Sequence, residues 1–484
     1  MVSTEELQNS EKIIDYFLNN VGMLEKVSVA EGKDIMQLAS CTGIYCEDID
    51  LKTKSLSLLY YCCFYLREIE IKELWNIYWL LNYITFENNK IELRGNLDQL
   101  YRFIYKKIEK IVTDINTYER IEHSGSNLVV ITTSQFLGPN HAPTRRVMDY
   151  AYAIITELKK RVMVINDAGL HFYPCESLSQ YITPNYLEEY NAVSNMNYRG
   201  VDIPFMQFPR YMPDIEGIHE MVEMIYQMQP EVVYNIGASS LVSDLCQMFT
   251  KTICMPCSNN IPTAMSEYLL VGRKLVGDEE RLERLESYQK VIETVVNYEL
   301  PENTREYRRA EFGISEDSFV VGVIGNRLDI ELTDEFIDVI ENILQHTDVH
   351  FIIVGGMRNN SKIEKKISKS ERLHFTGFLD EGNQAIKLFN IYCNPKRTGG
   401  GRSSFEALAQ GVPVITLKHG DVYHTCGDDF AVDTYDEFSQ QIDRYIKDQA
   451  YYQQVKEKAL KRAEVLSDIA GTQRRILEEV ISDK

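Results

Sequence analysis

Short apolar runs that alternate with helical segments constrain the fold of this chain more than any other feature. The first run, Leu128–Thr133, is continuous and bounded by polar residues, as is typical of a strand buried on both faces of a parallel sheet. A helical segment over 145–160 and a second apolar run over 162–165 follow. Strand, helix and strand within about 40 residues form a βαβ unit, so the pattern predicts a doubly wound α/β domain.

The alternation continues beyond this unit and then begins again. Its next predicted elements are a helix over 218–229, a strand over 232–236, a helix over 240–249 and a short strand near Ile253. A charged helix over 278–298 and a linker over 301–305 are predicted to end this series. A second series is predicted to contain a helix capped by Thr333 or Asp334 and strands over 319–325, 351–354, 373–375, 391–393 and 412–417.

The region before residue 123 has a different pattern. Apolar positions recur at three-to-four spacing over 11–20, 56–83 and 96–118, which predicts helices. We therefore expect an α/β protein with two Rossmann-like doubly wound domains preceded by a helical N-terminal domain. The predicted boundaries are 1–122, 123–305 and 306–484, and the C-terminal helix beyond about residue 456 is predicted to cross back to the first sheet domain.

Charge and composition limit the classes of partner. The chain has 51 Lys and Arg against 72 Asp and Glu, a net charge of −21, which disfavours nucleic acid as a partner. Its ten cysteines show no disulfide framework, and no apolar stretch is long enough to cross a bilayer. The acidic start lacks the pattern of a signal peptide. We expect a cytoplasmic protein without a transmembrane segment, and peripheral membrane contact and the oligomeric state stay open.

A glycine-rich segment, NPKRTGGGRSSFEAL at 394–408, follows one predicted strand and opens one predicted helix. Consecutive glycines let the backbone approach a ligand, and the N–H groups at a helix start favour an anion such as a diphosphate. Lys396, Arg397 and Arg402 add positive charge to an otherwise acidic chain. A turn closed by a capping box between Ser403 and Glu406 is the alternative interpretation.

In each predicted sheet domain, the loop after the first strand contains candidate site residues. Gly325, Asn326 and Arg327 follow the first strand of the second domain, where Arg327 could reach the same phosphates or be a solvated surface residue. His141 precedes the first helix of the first domain; it could accept a proton or merely fix the loop. Neither GxxxxGK[ST] nor GxGxxG is present, which disfavours P-loop NTPases and nicotinamide dehydrogenases.

Together these segments resemble the nucleotide-sugar glycosyltransferases of the two-domain GT-B fold. The glycine loop followed by ALAQGVPVI at 407–415 is similar to their donor-site signature. NHAPT at 140–144 and SSFEAL at 403–408 are closer to the O-GlcNAc transferase group and the bacterial adhesin N-glucosyltransferases. The resemblance implies that His141 and Arg327 are catalytic and that the donor is bound by Gly325, Asn326, Lys396, Gly399, Gly400, Gly401, Arg402, Ser403, Ser404 and Glu406.

The resemblance also implies a reaction. A hexose or N-acetylhexosamine would pass from a nucleoside diphosphate sugar, expected to be UDP-linked, to a hydroxyl or amide of a protein or glycan, with no metal and no further cofactor. Thr398 stands where retaining members carry a second Glu, so inversion is expected. Two alternatives stay open, a nucleotide-sugar 2-epimerase and a non-catalytic partner subunit of the same fold.

Overall fold

The structure is a computed structural model that describes residues 4–88, 90–121, 125–139, 141–179, 185–237, 239–299 and 305–483. Asn140 and most of the predicted linker, 301–304, lie outside the described residues. Within them, the predicted fold class is confirmed: a helical region precedes two α/β domains, each built on a largely parallel sheet. No helix in these ranges is long and apolar enough to span a membrane.

The helical region packs on the first sheet domain through buried hydrogen bonds. Tyr101 donates its hydroxyl to Asp244 Oδ2 at 2.6 Å, and Trp75 Nε1 donates to the carbonyl of Gly169 at 3.0 Å. The segment predicted as one helix over 56–83 is two helices, because Leu66 turns to an extended conformation. The helices are α1 (Thr4–Asn19), α2 (Val29–Tyr45), α3 (Ile49–Tyr65), α4 (Ile71–Glu87) and α5 (Leu97–Ile115).

The first sheet has the strand order β3-β4-β2-β1-β5-β6-β7-β8, parallel except for the hairpin β3–β4. The chain starts at the centre with β1 and changes direction between β1 and β5, so the loops after these two strands diverge at a topological switch point. The strands are β1 (Leu128–Thr133), β2 (Arg161–Asn166), β3 (Asn195–Tyr198), β4 (Val201–Gln207), β5 (Val232–Gly237), β6 (Lys251–Pro256), β7 (Tyr268–Val271) and β8 (Lys290–Glu293). The helices are α6 (Ala142–Thr156), α7 (Ile215–Met228), α8 (Leu241–Leu245) and α9 (Glu279–Leu282).

The second sheet has the order β11-β10-β9-β12-β13-β14, with all its strand pairs parallel. Its switch point lies between β9 and β12, so the loop with Arg327 and the glycine loop diverge side by side. The strands are β9 (Val320–Ile324), β10 (His350–Val354), β11 (Leu373–Gly377), β12 (Ile391–Cys393), β13 (Val414–Leu417) and β14 (Ala431–Val432). The helices are α10 (Leu328–Glu331), α11 (Asp334–His346), α12 (Ser361–Lys366), α13 (Gly401–Ala409), α14 (Gly420–Cys426), α15 (Tyr435–Lys447), α16 (Gln449–Ser467) and α17 (Ile469–Ser482).

Helix α17 returns to the first sheet domain and packs against α6, as the sequence predicted for the end of the chain. Lys251 at the start of β6 donates its Nζ to the carbonyl of Val480 at 2.7 Å. Thr333 is the N-cap of α11, as predicted, and its hydroxyl accepts the N–H of Phe336 at 3.4 Å. Through α17, the C-terminal end of the chain therefore ties the second sheet domain to the first.

The predicted helix over 278–298 is wrong. This segment holds only the single turn α9 and then strand β8, which extends the first sheet beside β7. Its many Glu, Arg and Lys residues favour a helix locally, but Val291 and Ile292 pair with Leu269 and Leu270 of β7. Tertiary pairing therefore overrides local propensity here.

Candidate functional site

A cleft of about 2460 Å³ lies between the two sheet domains. The loops at the carboxyl ends of their strands line it, which is where ligands bind in open α/β sheets. The first domain contributes Gln135, Gly237 and Ser239, among others. The second contributes Thr398 and Gly399 of the glycine loop and the loop that follows β13.

The glycine loop ends in a helix without a side-chain cap. Gly400 is the N-cap of α13 with φ +104°, a conformation that favours glycine, and no side chain accepts the N–H groups of the first turn. A Cβ on Gly401 would lie 2.7 Å from the hydroxyl oxygen of Tyr298, so that position has no room for a side chain. The alternative capping box between Ser403 and Glu406 does not form. The first-turn N–H groups therefore offer an anion site of the kind that the sequence predicted.

The side chains of Ser403 and Ser404 point into the domain. The Ser403 hydroxyl donates to the carbonyl of Gly400 at 3.0 Å, and the Ser404 hydroxyl donates to the carbonyl of Gly401 at 2.8 Å. Ser404 is fully buried. These two predicted donor-site residues can therefore contribute to ligand binding through their backbone groups and through the shape that they give the loop.

Arg397 fixes the glycine loop from within. Its Nε donates to Asn394 at 2.7 Å, and its Nη2 donates to the carbonyl of Ile324 at 3.0 Å and to the hydroxyl of Tyr392 at 2.7 Å. Its Nη1 pairs with Glu331 Oε2 at 2.8 Å. The sequence grouped Arg397 with the charges offered to an anion, but this guanidinium is buried and fully committed to protein groups.

Arg327 lies beside the glycine loop, as its position after β9 predicted. Its Nη2 pairs with Glu331 Oε1 at 3.2 Å, and a Cβ on Gly399 would lie only 3.4 Å from that same Nη2. The Arg327 side chain is 49% exposed, whereas Glu331 is 10% exposed. One carboxylate thus holds the buried Arg397 on one oxygen and orients the exposed Arg327 on the other.

The remaining predicted residues of these loops differ in exposure. Gly325 donates its N–H to the carbonyl of Val354 at 3.1 Å, and a Cβ there would lie 2.7 Å from Arg397 Nη1, so it packs rather than opens the loop. Asn326 and Lys396 are exposed. Lys396 donates its backbone N–H to the hydroxyl of Tyr435 at 3.0 Å, which leaves its ammonium group outside the fold.

The loop after β13 contacts the glycine loop directly. The Asp421 N–H donates to the carbonyl of Thr398 at 2.8 Å, and the Asp421 carboxylate accepts from Asn259 of the first domain at 2.8 Å. Burial lowers the pKa of His419, and the charge of Lys396 lowers it further. His419 and Asp421 both line the cleft.

Glu406 forms an ion pair with Arg402 within α13, and this arginine also contacts the end of the first domain. Arg402 donates its Nε to Glu406 Oε1 at 3.1 Å and its Nη2 to the carbonyl of Glu299 at 2.9 Å. Glu406 is 5% exposed, and burial raises its pKa, while the charges of Arg402 and Arg145 oppose that rise. Arg145, on the first turn of α6, carries no sequence motif and is a site residue that sequence reasoning missed.

His141 is the N-cap residue of α6. Its Nδ1 lies 2.9 Å from Thr144 Oγ1, and that oxygen accepts the N–H of Leu137 at 2.9 Å. Burial lowers the pKa of His141, and the nearby charge of Arg145 adds to the effect. Both effects favour the neutral imidazole, which is the form that can accept a proton.

Replacing Arg145 with glutamine is expected to move the acid limb of the kcat/KM profile to higher pH. The wild-type limb should lie below the ordinary histidine pKa of about 6.5, because burial and Arg145 both disfavour imidazolium. Removing that positive charge raises the pKa of His141. Arg161→Gln is the control, since Arg161 bonds to the carbonyl of Ser126 at the opposite edge of the sheet. An acid limb at the same pH in wild type, Arg145→Gln and Arg161→Gln would contradict a titrating role for His141.

Comparison with known proteins identifies the second sheet domain. Residues 318–448 match the protein family described as Glycosyl transferases group 1. This domain is a glycosyltransferase domain. The prediction that the chain is a glycosyltransferase is thereby confirmed, whereas the narrower resemblance to the O-GlcNAc transferase group stays a prediction. No curated protein sequence matches the chain.

Solved structures show the same fold at low sequence identity. A variant of the Thermobaculum terrenum O-GlcNAc transferase is 12% identical with a TM-score of 0.52, over 98% of this chain and 95% of that one. HepE of Anabaena, solved in complex with UDP, is 12% identical with a TM-score of 0.51, over 73% of this chain and 100% of that one. The apo lipopolysaccharide outer core galactosyltransferase WaaB is 12% identical with a TM-score of 0.50, over 73% and 99%. These similarities establish the GT-B fold.

Proposed function

We propose that this glycosyltransferase moves a hexose or N-acetylhexosamine from a UDP-sugar to an acceptor hydroxyl or amide with inversion. One observation carries the proposal: the uncapped start of α13 and the exposed guanidinium of Arg327 meet at Gly399, on the wall of the interdomain cleft. Backbone N–H groups beside an arginine suit a diphosphate. The complex of HepE with UDP supports the same type of donor for this fold.

In this proposal the acceptor oxygen or nitrogen bonds to the anomeric carbon while the bond from that carbon to the diphosphate oxygen breaks. His141 takes the acceptor proton on Nε2, because Nδ1 is occupied by Thr144. Arg327, Lys396 and the first-turn N–H groups of α13 stabilise the departing diphosphate without a metal ion. Glu406 binds the ribose hydroxyls, which requires its carboxylate to exchange part of its contact with Arg402.

A panel of nucleoside diphosphate sugars tests this proposal, with nucleotide release and donor affinity measured separately. We expect a single UDP-sugar to bind and to be slowly hydrolysed. Glu406→Ala should lose donor affinity, whereas His141→Ala should keep affinity and lose turnover. Glu371→Ala, at an exposed position just before the edge strand β11, is the matched control and should change neither.

The outcomes separate the proposal from its alternatives. Interconversion of the sugar nucleotide without nucleotide release would favour a 2-epimerase. A failure of every sugar nucleotide to bind would favour a non-catalytic subunit, and the glycine loop would then be structural. Equal donor affinity in wild type and Glu406→Ala would remove Glu406 from the ribose site.

A further inference from the structure

The cleft extends well beyond the glycine loop. Its volume of about 2460 Å³ exceeds the range of roughly 300–1,000 Å³ of small-molecule pockets, so a donor alone would leave much of it empty. Part of its wall comes from outside the two sheet domains. There the helical region supplies Trp79, Asn82, Tyr83 and Phe86, all from α4. The helical region is therefore part of the cleft.

Buried contacts fix this face of α4 above the first sheet. Tyr78, one residue before Trp79, places its hydroxyl 2.9 Å from that of Ser239, which follows β5. Trp75, one turn earlier, donates its Nε1 to the carbonyl of Gly169 at 3.0 Å. Both partners lie in loops at the carboxyl edge of the sheet. These contacts thus fix the position of α4 against the carboxyl ends of the strands of the first sheet.

Two aromatic rings at the end of α4 are exposed, although most of the helix is buried. Phe86 is 67% exposed and Tyr83 is 37% exposed, although both lie inside a concave wall. The Trp79 ring packs 6.3 Å from Phe172, which also lines the cleft, and this contact continues the aromatic surface onto the first domain. A contiguous exposed aromatic surface inside a cleft is a feature of ligand-binding grooves.

The charge of the wall indicates which ligand fits. Among the described lining residues, those that lie between positions 78 and 239 carry no charge, and they include the amide side chains of Asn82, Gln135 and Asn185. Charged side chains enter the wall only later in the chain, among the described lining residues beyond position 260, and include Arg273, Asp428 and Arg475. A neutral ligand with apolar faces and many hydroxyl groups matches rings and amides without a desolvated charge.

We propose that the α4 face is an acceptor subsite for a neutral oligosaccharide, whose pyranose rings stack on Phe86 and Tyr83. This proposal rests on the proposed transferase function and names the acceptor class for it. The sugar residue that receives the new bond lies near the glycine loop, and the preceding residues of the oligosaccharide extend along α4. The helical region thus selects the acceptor by stacking, and it selects against short acceptors that do not reach Phe86.

The chain carries its own probe for this subsite. Its two tryptophans, Trp75 and Trp79, are both on α4, so tryptophan fluorescence, excited selectively over that of the 30 tyrosines, reports on this helix alone. We would screen the full chain against immobilised neutral oligosaccharides and peptides, and then titrate the bound oligosaccharides by tryptophan fluorescence. Phe86→Ala should weaken binding by about tenfold, the loss expected for one ring contact. Tyr45→Ala, at an equally exposed position (64%) of the helical region outside the cleft, should not.

Three results would overturn the proposal: no neutral oligosaccharide binds, only peptides bind, or Phe86→Ala and Tyr45→Ala bind equally well. UDP affinity, measured in the same preparations, separates this failure from that of the proposed function. Intact UDP binding without oligosaccharide binding would overturn the subsite alone. Oligosaccharide binding without any UDP binding would leave the subsite standing and remove the transferase reaction.

Discussion

Replacing Arg397 with alanine is expected to destabilise the second sheet domain by about 3 kcal/mol or more, the usual cost of breaking a buried ion pair. The Arg397 side chain is 4% exposed, and its guanidinium joins β9, α10 and the glycine loop. Its loss leaves Asn394 and the carbonyl of Ile324 without their buried donor. Urea unfolding should show the loss, and donor affinity should fall with it because the glycine loop is released.

Arg397→Lys is the matched variant. It keeps the positive charge near Glu331 but cannot reproduce the forked donation to several acceptors, so we expect partial recovery of stability. Wild-type stability in Arg397→Ala would contradict the assigned role. Full stability with lost donor affinity would instead mean that Arg397 contacts the donor itself.

The sequence predicts the architecture because strand burial and helix amphipathicity are local signals. The central strands are continuous apolar runs that are buried on both faces of the sheet. Examples are the runs that contain Val129, Val232 and Val320. Strand β8 was missed because its stability comes from pairing with β7, which no local pattern encodes. The antiparallel hairpin β3–β4 also went unpredicted, because β3 is mostly polar in sequence and β4 contains Pro204, which argues against a strand.

The site is predicted only in part for a related reason. The glycines and the helix start are adjacent in sequence, so their joint position could be anticipated. Lys396, Arg397 and Arg402 are equally basic in the sequence, yet one is exposed, one is buried and one pairs with Glu406. Which way each side chain turns depends on Glu331 and Glu299, which belong to other segments of the chain.

In the helical region, too, the sequence pattern predicts the helix but not which of its residues enter the cleft. Residues of α4 have the spacing of a buried helix, and Trp75 and Tyr78 are indeed buried. Nothing in that spacing indicates that Tyr83 and Phe86, on the last turns, would enter a cleft formed by two later domains. The acceptor subsite that we propose on α4 therefore follows from the structure and not from the sequence pattern.

Arg327→Ala is expected to lower kcat by roughly a hundredfold or more, the usual loss when one donor to a developing negative charge is removed. The same change should alter stability by less than about 1 kcal/mol, because the pair with Glu331 is half exposed on the arginine side and Arg397 still holds that carboxylate. Single-turnover nucleotide release and urea unfolding measure the two effects on one preparation.

Substitutions of Arg327 and Arg397 therefore test two different roles of arginine at the same carboxylate. Both bond to Glu331, but we expect the exposed arginine to be important for turnover and the buried one for stability. Arg327→Lys should recover part of the turnover, since an ammonium keeps the charge but not the planar fork. Full turnover in Arg327→Ala would exclude contact between this guanidinium and the leaving diphosphate, and the first-turn N–H groups of α13 with Lys396 would then be left to stabilise it.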